Sequence, residues 1–330
     1  MAGPAYHGPS NAAGGSLQSR LIGRAEVVHA RPELADDWQA LDAAFPVRIP
    51  RSFWERLDPT DPTDPLTIQA LPDPRELVPD PHDIDDPVGD IAQSPMPWVV
   101  RKHADRLLLL LTKRCHLDCR YCFRRTHSPG GEDPTPDQWR NMLDYAASAG
   151  VEEVILSGGD PLALRDDRLF EAIDALRPTV PVIRVHSRAP ITAPFRVTDA
   201  LVAGLKARGP VWLVVHTNHP RELSPEVDEA LQKLVDAGIP VLNQSVLLRG
   251  VNDDPDVLAE LSRQLVRRRV FPYYLHHPDA VPGNAHLRVS VAEGLAIVEG
   301  LRRRVSGIAL PTYVIDPPDG SGKLQLRPPP

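Results

Sequence analysis

Cysteine is scarce in this chain: 330 residues carry three, all inside positions 115–122. A disulfide framework needs paired cysteines in an oxidising compartment, so these three argue against one. No apolar run approaches the roughly 18 residues of a membrane span, and the first residues lack the apolar core of a signal peptide. A cytoplasmic protein with reduced thiols is therefore expected. A surplus of positive charge is also missing, with 37 Lys and Arg against 44 Asp and Glu, a net charge of −7. That balance argues against a dedicated nucleic-acid binder and suits a soluble enzyme. The apolar fraction of 42% is ordinary for a globular chain and allows one large domain or two smaller ones. Proline is abundant, 37 residues, about twice the usual share of ~5%. Much of it lies in the first hundred residues and the last twenty, which reads as extended or irregular chain.

The spacing Cys115-x3-Cys119-x2-Cys122 is the densest chemical signal. Three thiolates so placed in a tight loop can wrap three corners of a cubane iron-sulfur cluster, leaving the fourth iron without a protein ligand and open to chemistry. A structural zinc site wants four donors. His116 could supply the fourth, although its place beside Cys115 in a short loop is awkward. Unpaired core thiols are the third reading.

Residues 1–20 are rich in Gly, Ala, Ser and Pro and read as a disordered tail. Residues 21–104 show interrupted amphipathic patterns and the run Asp58-Pro-Thr-Asp-Pro-Thr-Asp-Pro65, and read as a helical and irregular cap wrapped on the main domain. Six short apolar runs follow, at 107–111, 153–157, 182–187, 211–216, 241–246 and 270–275. Helix-period segments lie between them at about 136–149, 167–176, 198–207, 224–237 and 256–268, with another at 290–305. Thr198 and Ser224 mark helix starts, and Gly150, Gly209 and Gly238 stand where C-terminal caps are expected. Such alternation predicts an α/β fold with a parallel sheet. Pattern alone leaves a flat doubly wound sheet open. Polar residues at strand C-termini, among them the cysteine loop, Ser157–Asp160, His186–Arg188, His216, Gln244 and 276–279, favour a barrel mouth, where barrel active sites sit.

Four separate stretches carry a resemblance: Cys119-Arg-Tyr-Cys-Phe-Arg-Arg125, Ser157-Gly-Gly-Asp-Pro161, Asn243-Gln-Ser-Val-Leu-Leu-Arg-Gly-Val-Asn-Asp253 and Phe271-Pro-Tyr-Tyr274. With the cysteine spacing, they resemble the lysine 2,3-aminomutase family of radical S-adenosylmethionine enzymes, from about residue 45 to residue 323. The resemblance implies a partial (β/α)6 TIM-like barrel over 105–310, preceded by the mainly helical extension, with 311–330 as a C-terminal segment carrying a cofactor lysine. It implies a 4Fe-4S cluster on Cys115, Cys119 and Cys122, whose open iron chelates S-adenosyl-L-methionine and, once reduced, cleaves it to a 5′-deoxyadenosyl radical. Gly158, Gly159, Asp160, Ser187, Arg188, His216 and Gln244 match positions that line that cofactor.

Asp316-Pro-Pro-Asp-Gly-Ser-Gly-Lys323 resembles the family segment whose lysine forms a Schiff base with pyridoxal 5′-phosphate, and Arg106 matches an arginine that contacts its phosphate. Arg124 falls on the position for the substrate carboxylate, and Asp279 and Asp316 on the two that hold the distal ammonium in lysine-specific members. The implied reaction converts L-α-lysine to β-lysine: hydrogen is taken from Cβ, the nitrogen migrates from Cα to Cβ, and hydrogen is returned. The same chemistry on arginine or glutamate is the near alternative, with glutamate disfavoured by two facing aspartates. A non-catalytic iron-sulfur binding protein is the alternative from another class. The family implies a flavodoxin or ferredoxin type reductant, and a homo-oligomer is open. Nucleic acid and membrane are not expected as partners. Phe45-Pro-Val-Arg-Ile-Pro-Arg-Ser-Phe53 is similar to the branch that supplies β-lysine for modifying elongation factor P, whereas Gly320-Ser-Gly-Lys323 and Asp316 are more like the longer members. Asp254 stands where those longer members carry a cysteine of a structural zinc site, so that site is expected to be absent.

Overall fold

The computed structural model describes residues 20–127 and 133–327. The tail expected over 1–20 lies outside the described residues except for Arg20. Seven parallel strands form the body: β1 (Arg106–Thr112), β2 (Glu153–Gly158), β3 (Val182–His186), β4 (Val211–His216), β5 (Val241–Val246), β6 (Phe271–His276) and β7 (Thr312–Ile315), each hydrogen-bonded to the next in sequence. The six expected runs are all strands, and the chain adds a seventh. Helices α1 (Pro136–Ser148), α2 (Asp166–Leu176), α3 (Asp199–Ala207), α4 (Pro225–Asp236), α5 (Pro255–Arg267) and α6 (Val291–Arg302) alternate with them. Two short antiparallel strands, Val99–Val100 beside β1 and Leu324–Gln325 beside β7, end the sheet, so its strand order is linear and the barrel is partial.

Thr198 caps α3 by accepting from Leu201 N at 3.1 Å. Ser224 precedes α4, but its hydroxyl bonds Glu226 and not the helix backbone. Gly150 and Gly238 take the left-handed conformation expected after a helix, whereas Gly209 lies outside it.

Alternation along the strands decides what the barrel encloses. Leu107, Leu109 and Leu111 of β1 point outward and are fully buried with Val154, Ile183, Leu213 and Val215 against Trp139, Met142, Ile173 and Leu231 of the helices. The large core therefore lies between sheet and helices. The inward positions, among them Arg106, Leu108, Glu153, Arg184, His186, His216 and Gln244, line a cavity of ≈ 450 Å³. Closed barrels of this architecture fill their centre with branched apolar side chains, and this one leaves it roomy, with charged and polar side chains set among apolar ones.

Both ends of the chain turn back on that cavity. The N-terminal helices Arg24–Ala30, Trp38–Ala44, Arg51–Trp54 and Pro65–Ala70 bury Val27, Leu41, Phe53 and Leu66 in a second cluster that includes Leu117 of the cysteine loop. After β7 the chain lies along the segment before β1. Gly322, at φ +80°, sits where a Cβ would come within 2.4 Å of the His103 ring, so only glycine allows that approach. Among the described residues no helix is long and apolar enough to cross a membrane.

Candidate active site

The cysteine loop leaves the C-terminal end of β1 and is seated by β2. Gly159 N donates to Thr112 O and Asp160 N to Arg114 O, both at 2.7 Å. A Cβ on Gly159 would lie 2.3 Å from Arg114 O, and one on Gly158 2.3 Å from Thr112 O. Gly158 thus admits the end of β1 and Gly159 the backbone of the cysteine loop itself. Cys115, Cys119 and Cys122 are free thiols on the cavity wall, although no three His, Cys, Asp or Glu among the described residues are drawn in tightly enough to hold a single metal ion. They touch the cavity's void but sit deep in the protein, and burial pushes Cys122 up to about 11 and Cys115 well above its ordinary value.

Arginines of the loop anchor it. Arg120 donates to both oxygens of Glu76, at 2.9 and 2.6 Å, and Arg125 to one of them at 2.6 Å, and all three side chains are fully buried. Burial alone would raise the Glu76 carboxyl, but the two guanidinium groups hold it below its ordinary value.

The end of β3 is tied to the end of β2 through Asp160. Its carboxylate accepts from Ser187 Oγ at 2.6 Å, from Arg188 N and Ala189 N at 2.9 Å each, and from Leu162 N at 2.9 Å. Asp160 therefore shapes the turn that aims Arg188. Arg188 Nη1 reaches Cys119 Sγ at 2.7 Å, and its Nη2 donates to Gln69 and Glu222 at 2.8 Å each. His216 at the end of β4 pairs Nε2 with the Tyr121 hydroxyl at 3.0 Å and stacks on that ring. Burial, then the charge of Arg188, holds its imidazole well below the ordinary value, so it is neutral. Gln244 of β5 lines the same cavity.

Charged groups face the cavity on its other side. Arg124 places Nε and Nη2 on Asp90 Oδ2 at 2.9 and 2.8 Å, and its Nη1 points to Gly158 O at 3.2 Å. Lys102 lies on the other oxygen of Asp90 at 3.2 Å. Arg106 lines the cavity from the start of β1 and pairs with Asp105 at 3.3 Å. Lys323 donates Nζ to Asp316 Oδ2 at 3.0 Å, while Asp316 Oδ1 is buried with no partner. Burial, then the charge of Asp316, pushes Asp279 up to about 7. His276 beside them is held down to about 3 by burial and then Lys323.

Every cluster, cofactor and substrate residue expected from the sequence lines this one cavity, and Asp160, Ser187 and Arg188 also build its wall. Sequence reasoning missed Asp90, Lys102, Glu76, Glu222 and Gln69. The signal that could have pointed to Asp90 and Glu76 is the run of arginines at 120, 124 and 125, since buried guanidinium groups need carboxylate partners. It also left His186 unassigned: its Nε2 is buried on the cavity wall without a partner.

A cysteine-rich loop at the mouth of a partial α/β barrel is the arrangement of the radical S-adenosylmethionine proteins, and the family described as "Radical SAM superfamily" matches residues 109–261. L-lysine 2,3-aminomutase of Clostridium subterminale is 43% identical over 276 residues, covering 82% of this chain and 66% of that protein. L-lysine 2,3-aminomutase of Buchnera aphidicola subsp. Baizongia pistaciae is 36% identical, covering 86% of this chain and 84% of that one. Glutamate 2,3-aminomutase of Clostridioides difficile is 37% identical over 82% of this chain and 65% of that protein. This chain belongs to the lysine 2,3-aminomutase family. It spans about two thirds of the length of the Clostridium relative.

Proposed function

We propose that this protein is an isomerase, an L-lysine 2,3-aminomutase that converts L-α-lysine to β-lysine. The observation that carries the reading is the set of charges around one cavity: Arg124, Asp279, Asp316 and Lys323 line it together with the three thiols. An amino acid with a carboxylate at one end and an ammonium at the other matches that pattern. Glutamate would bring a second carboxylate to Asp279 and Asp316 and be repelled.

The donor set fits the cofactors this family implies. The Cys115 and Cys122 thiols, raised by burial, ionise readily only against a cation, which a cluster's iron atoms supply. Cys115, Cys119 and Cys122 would hold it, and Arg188 would donate to the Cys119 sulfur. Gly158, Gly159, Ser187, His216 and Gln244 line the space next to the loop and would receive S-adenosyl-L-methionine, with Asp160 and Arg188 shaping that wall. Lys323 reaches the cavity with its ammonium 5.9 Å from the Tyr274 ring, and Arg106 offers a cation on the same wall, a set that suits pyridoxal 5′-phosphate. When bound, these groups supply a hydrogen-abstracting 5′-deoxyadenosyl radical and a carbonyl that ties up the migrating nitrogen. The protein's own part is positional. Arg124 holds the carboxylate, the two aspartates hold the far ammonium, and Cβ is thereby fixed between them. The N-terminal cap packs against Leu117 and Cys119 of the cysteine loop and so helps to hold the loop in place. An external one-electron donor completes the reading. The product would serve free metabolism or the modification of elongation factor P.

Anaerobic reconstitution followed by borohydride reduction tests the cofactor set. The label should fall on the peptide containing Lys323 and vanish in Lys323→Ala, and Cys119→Ala should lose bound iron and sulfide. Label on Lys102 or Lys113, or iron at the parent level in Cys119→Ala, would overturn the assignment.

A further inference from the structure

The barrel closes at a seam between its two edge strands, and the closure holds no polar bond. After β7 the chain runs through 316–323 and returns as the strand Leu324–Gln325, which pairs only with β7. Facing this hairpin is the segment 86–106 that leads into β1. Asp316 and Lys323 on one side and Val88, Lys102, His103 and Arg106 on the other all line the cavity, so their contact is part of its wall. Among the described residues, no hydrogen bond or ion pair joins 316–325 to 86–106. The contact is close packing at glycines: a Cβ on Gly89 would lie 2.2 Å from Pro318 O, and one on Gly322 2.4 Å from the His103 ring. Each side is held from elsewhere. Asp86 accepts from the backbone of Asp90, Ile91 and Ala92, and Val99–Val100 pairs with β1. The base of the hairpin is tied by His277 N to Val314 O and by Leu326 N to Tyr313 O. Pro317 and Pro318 have a fixed φ, so the arm that leaves Ile315 is stiff.

Resting on the cofactor assignment of Arg106 and Lys323 above, we propose that the hairpin 316–325 is a strap over the seam, and that it lifts to admit the pyridoxal cofactor, a planar aromatic phosphate ester. Arg106 starts β1, and the cysteine loop leaves the other end of that seven-residue strand, about 20 Å away. Entry by the mouth would run that length, past the loop and the N-terminal cap. The seam opens directly beside His103 and Arg106. Lifting the strap breaks no hydrogen bond to the opposite side, and lowering it returns Asp316 and Lys323 to the cavity wall together. The site is therefore complete only with the strap down, the general behaviour of lids that finish a catalytic set on closing.

The probe is pyridoxine 5′-phosphate, which keeps the cofactor's ring and phosphate but has no aldehyde and so forms no bond to Lys323. Its uptake and release are followed by stopped-flow fluorescence in protein reconstituted with iron and sulfide. A Cβ on Gly320 would lie 3.1 Å from the Gln93 amide, so Gln93→Cys with Gly320→Cys sets two thiols within bridging reach across the seam. With that disulfide formed, and confirmed by mass spectrometry, association and dissociation should both slow by at least about tenfold against the same protein reduced, with affinity little changed, as a gate requires. Gly322→Ala, which props the strap off His103, should speed both, and it decides alone if the disulfide does not form. Equal rates in the oxidised and reduced protein, or wild-type rates in Gly322→Ala, would overturn the strap while leaving the cofactor site standing. A fall in affinity without slower dissociation would also overturn it, by making the hairpin a contact and not a gate. If no form binds pyridoxine 5′-phosphate, the cofactor site itself fails and the strap with it.

Discussion

Arg124 sets two nitrogens, Nε and Nη2, on a single oxygen of Asp90, at 2.9 and 2.8 Å, 34 residues away in sequence. Lys102 takes the other oxygen at 3.2 Å, and all three side chains are about nine-tenths buried. The carboxylate that fixes the Arg124 guanidinium thus belongs to the protein, and a substrate carboxylate would approach a cation whose orientation is already set. Asp90→Asn leaves two buried cations facing a neutral amide. Stability should fall by about 3–5 kcal/mol, the usual consequence of removing one partner of a buried pair, read as a lower denaturation midpoint in urea. Burial works against the Asp90 carboxylate, but Arg124 and Lys102 hold its value below normal. Its contribution is therefore complete above the unfolded carboxyl value near 4 and is lost as pH falls through the lower folded value. An unchanged midpoint would show that the pair is not formed.

Glu76 makes a comparable claim for the cysteine loop. Glu76→Gln removes the charge shared by Arg120 and Arg125, with an expected loss of about 3–5 kcal/mol and a lower iron content after reconstitution, because the loop loses its anchor. Glu76→Asp should retain more of both. Parent-level iron and stability in Glu76→Gln would contradict the anchoring role.

Gly159→Ala tests the seat of the loop without touching a charge. The added Cβ meets Arg114 O at 2.3 Å, a backbone atom that yields only if the loop shifts. Iron content should drop while the helical signal in circular dichroism stays at the parent level. Gly150→Ala, where a Cβ meets nothing within 4 Å but φ is +63°, should affect stability and not iron.

Asp279 gives the pH dependence. Without ligand its value is raised to about 7 by burial and then by Asp316, so the folded protein holds a proton that the unfolded chain has lost above about pH 4. Asp279 therefore lowers stability as pH rises from about 4 through 7. A ligand ammonium favours the ionised form. Affinity of the pyridoxal-loaded protein for 6-aminohexanoate, which has lysine's carboxylate and distal ammonium but no α-amino group, should rise with pH toward about 7 and then level off, and Asp279→Asn should flatten that slope. A slope kept in the variant would assign the titration to another group.

How far each signal reaches along the chain decided whether the sequence displayed it. The three thiols sit within eight positions, and β1 to β6 each announce themselves by a local apolar run. Lys323 stood out through its glycines, of which Gly322 brings the tail against His103. The counter-charges were not legible: Asp90 to Arg124, Glu76 to Arg120 and Glu222 to Arg188 pair residues 34 to 44 positions apart, and Gln69 reaches Arg188 across 119. Only the folded barrel brings them together. The same limit hid a second role of Gly158 and Gly159, which line the cavity and also leave room for Thr112 O at the end of β1 and Arg114 O of the cysteine loop. Likewise Asp160 lines the cavity while four protein donors, only Leu162 among them near it in the sequence motif, take its oxygens.

Whether the cavity selects lysine is decided by product analysis after anaerobic reconstitution with iron, sulfide, pyridoxal 5′-phosphate, S-adenosyl-L-methionine and dithionite, with lysine, arginine or glutamate supplied separately. The charge arrangement predicts β-lysine from lysine, little or no β-product from glutamate, and lysine turnover sharply reduced in Asp279→Asn and Asp316→Asn while S-adenosyl-L-methionine is still cleaved. A parent that prefers glutamate, or aspartate variants that turn over lysine as well as the parent does, would contradict it.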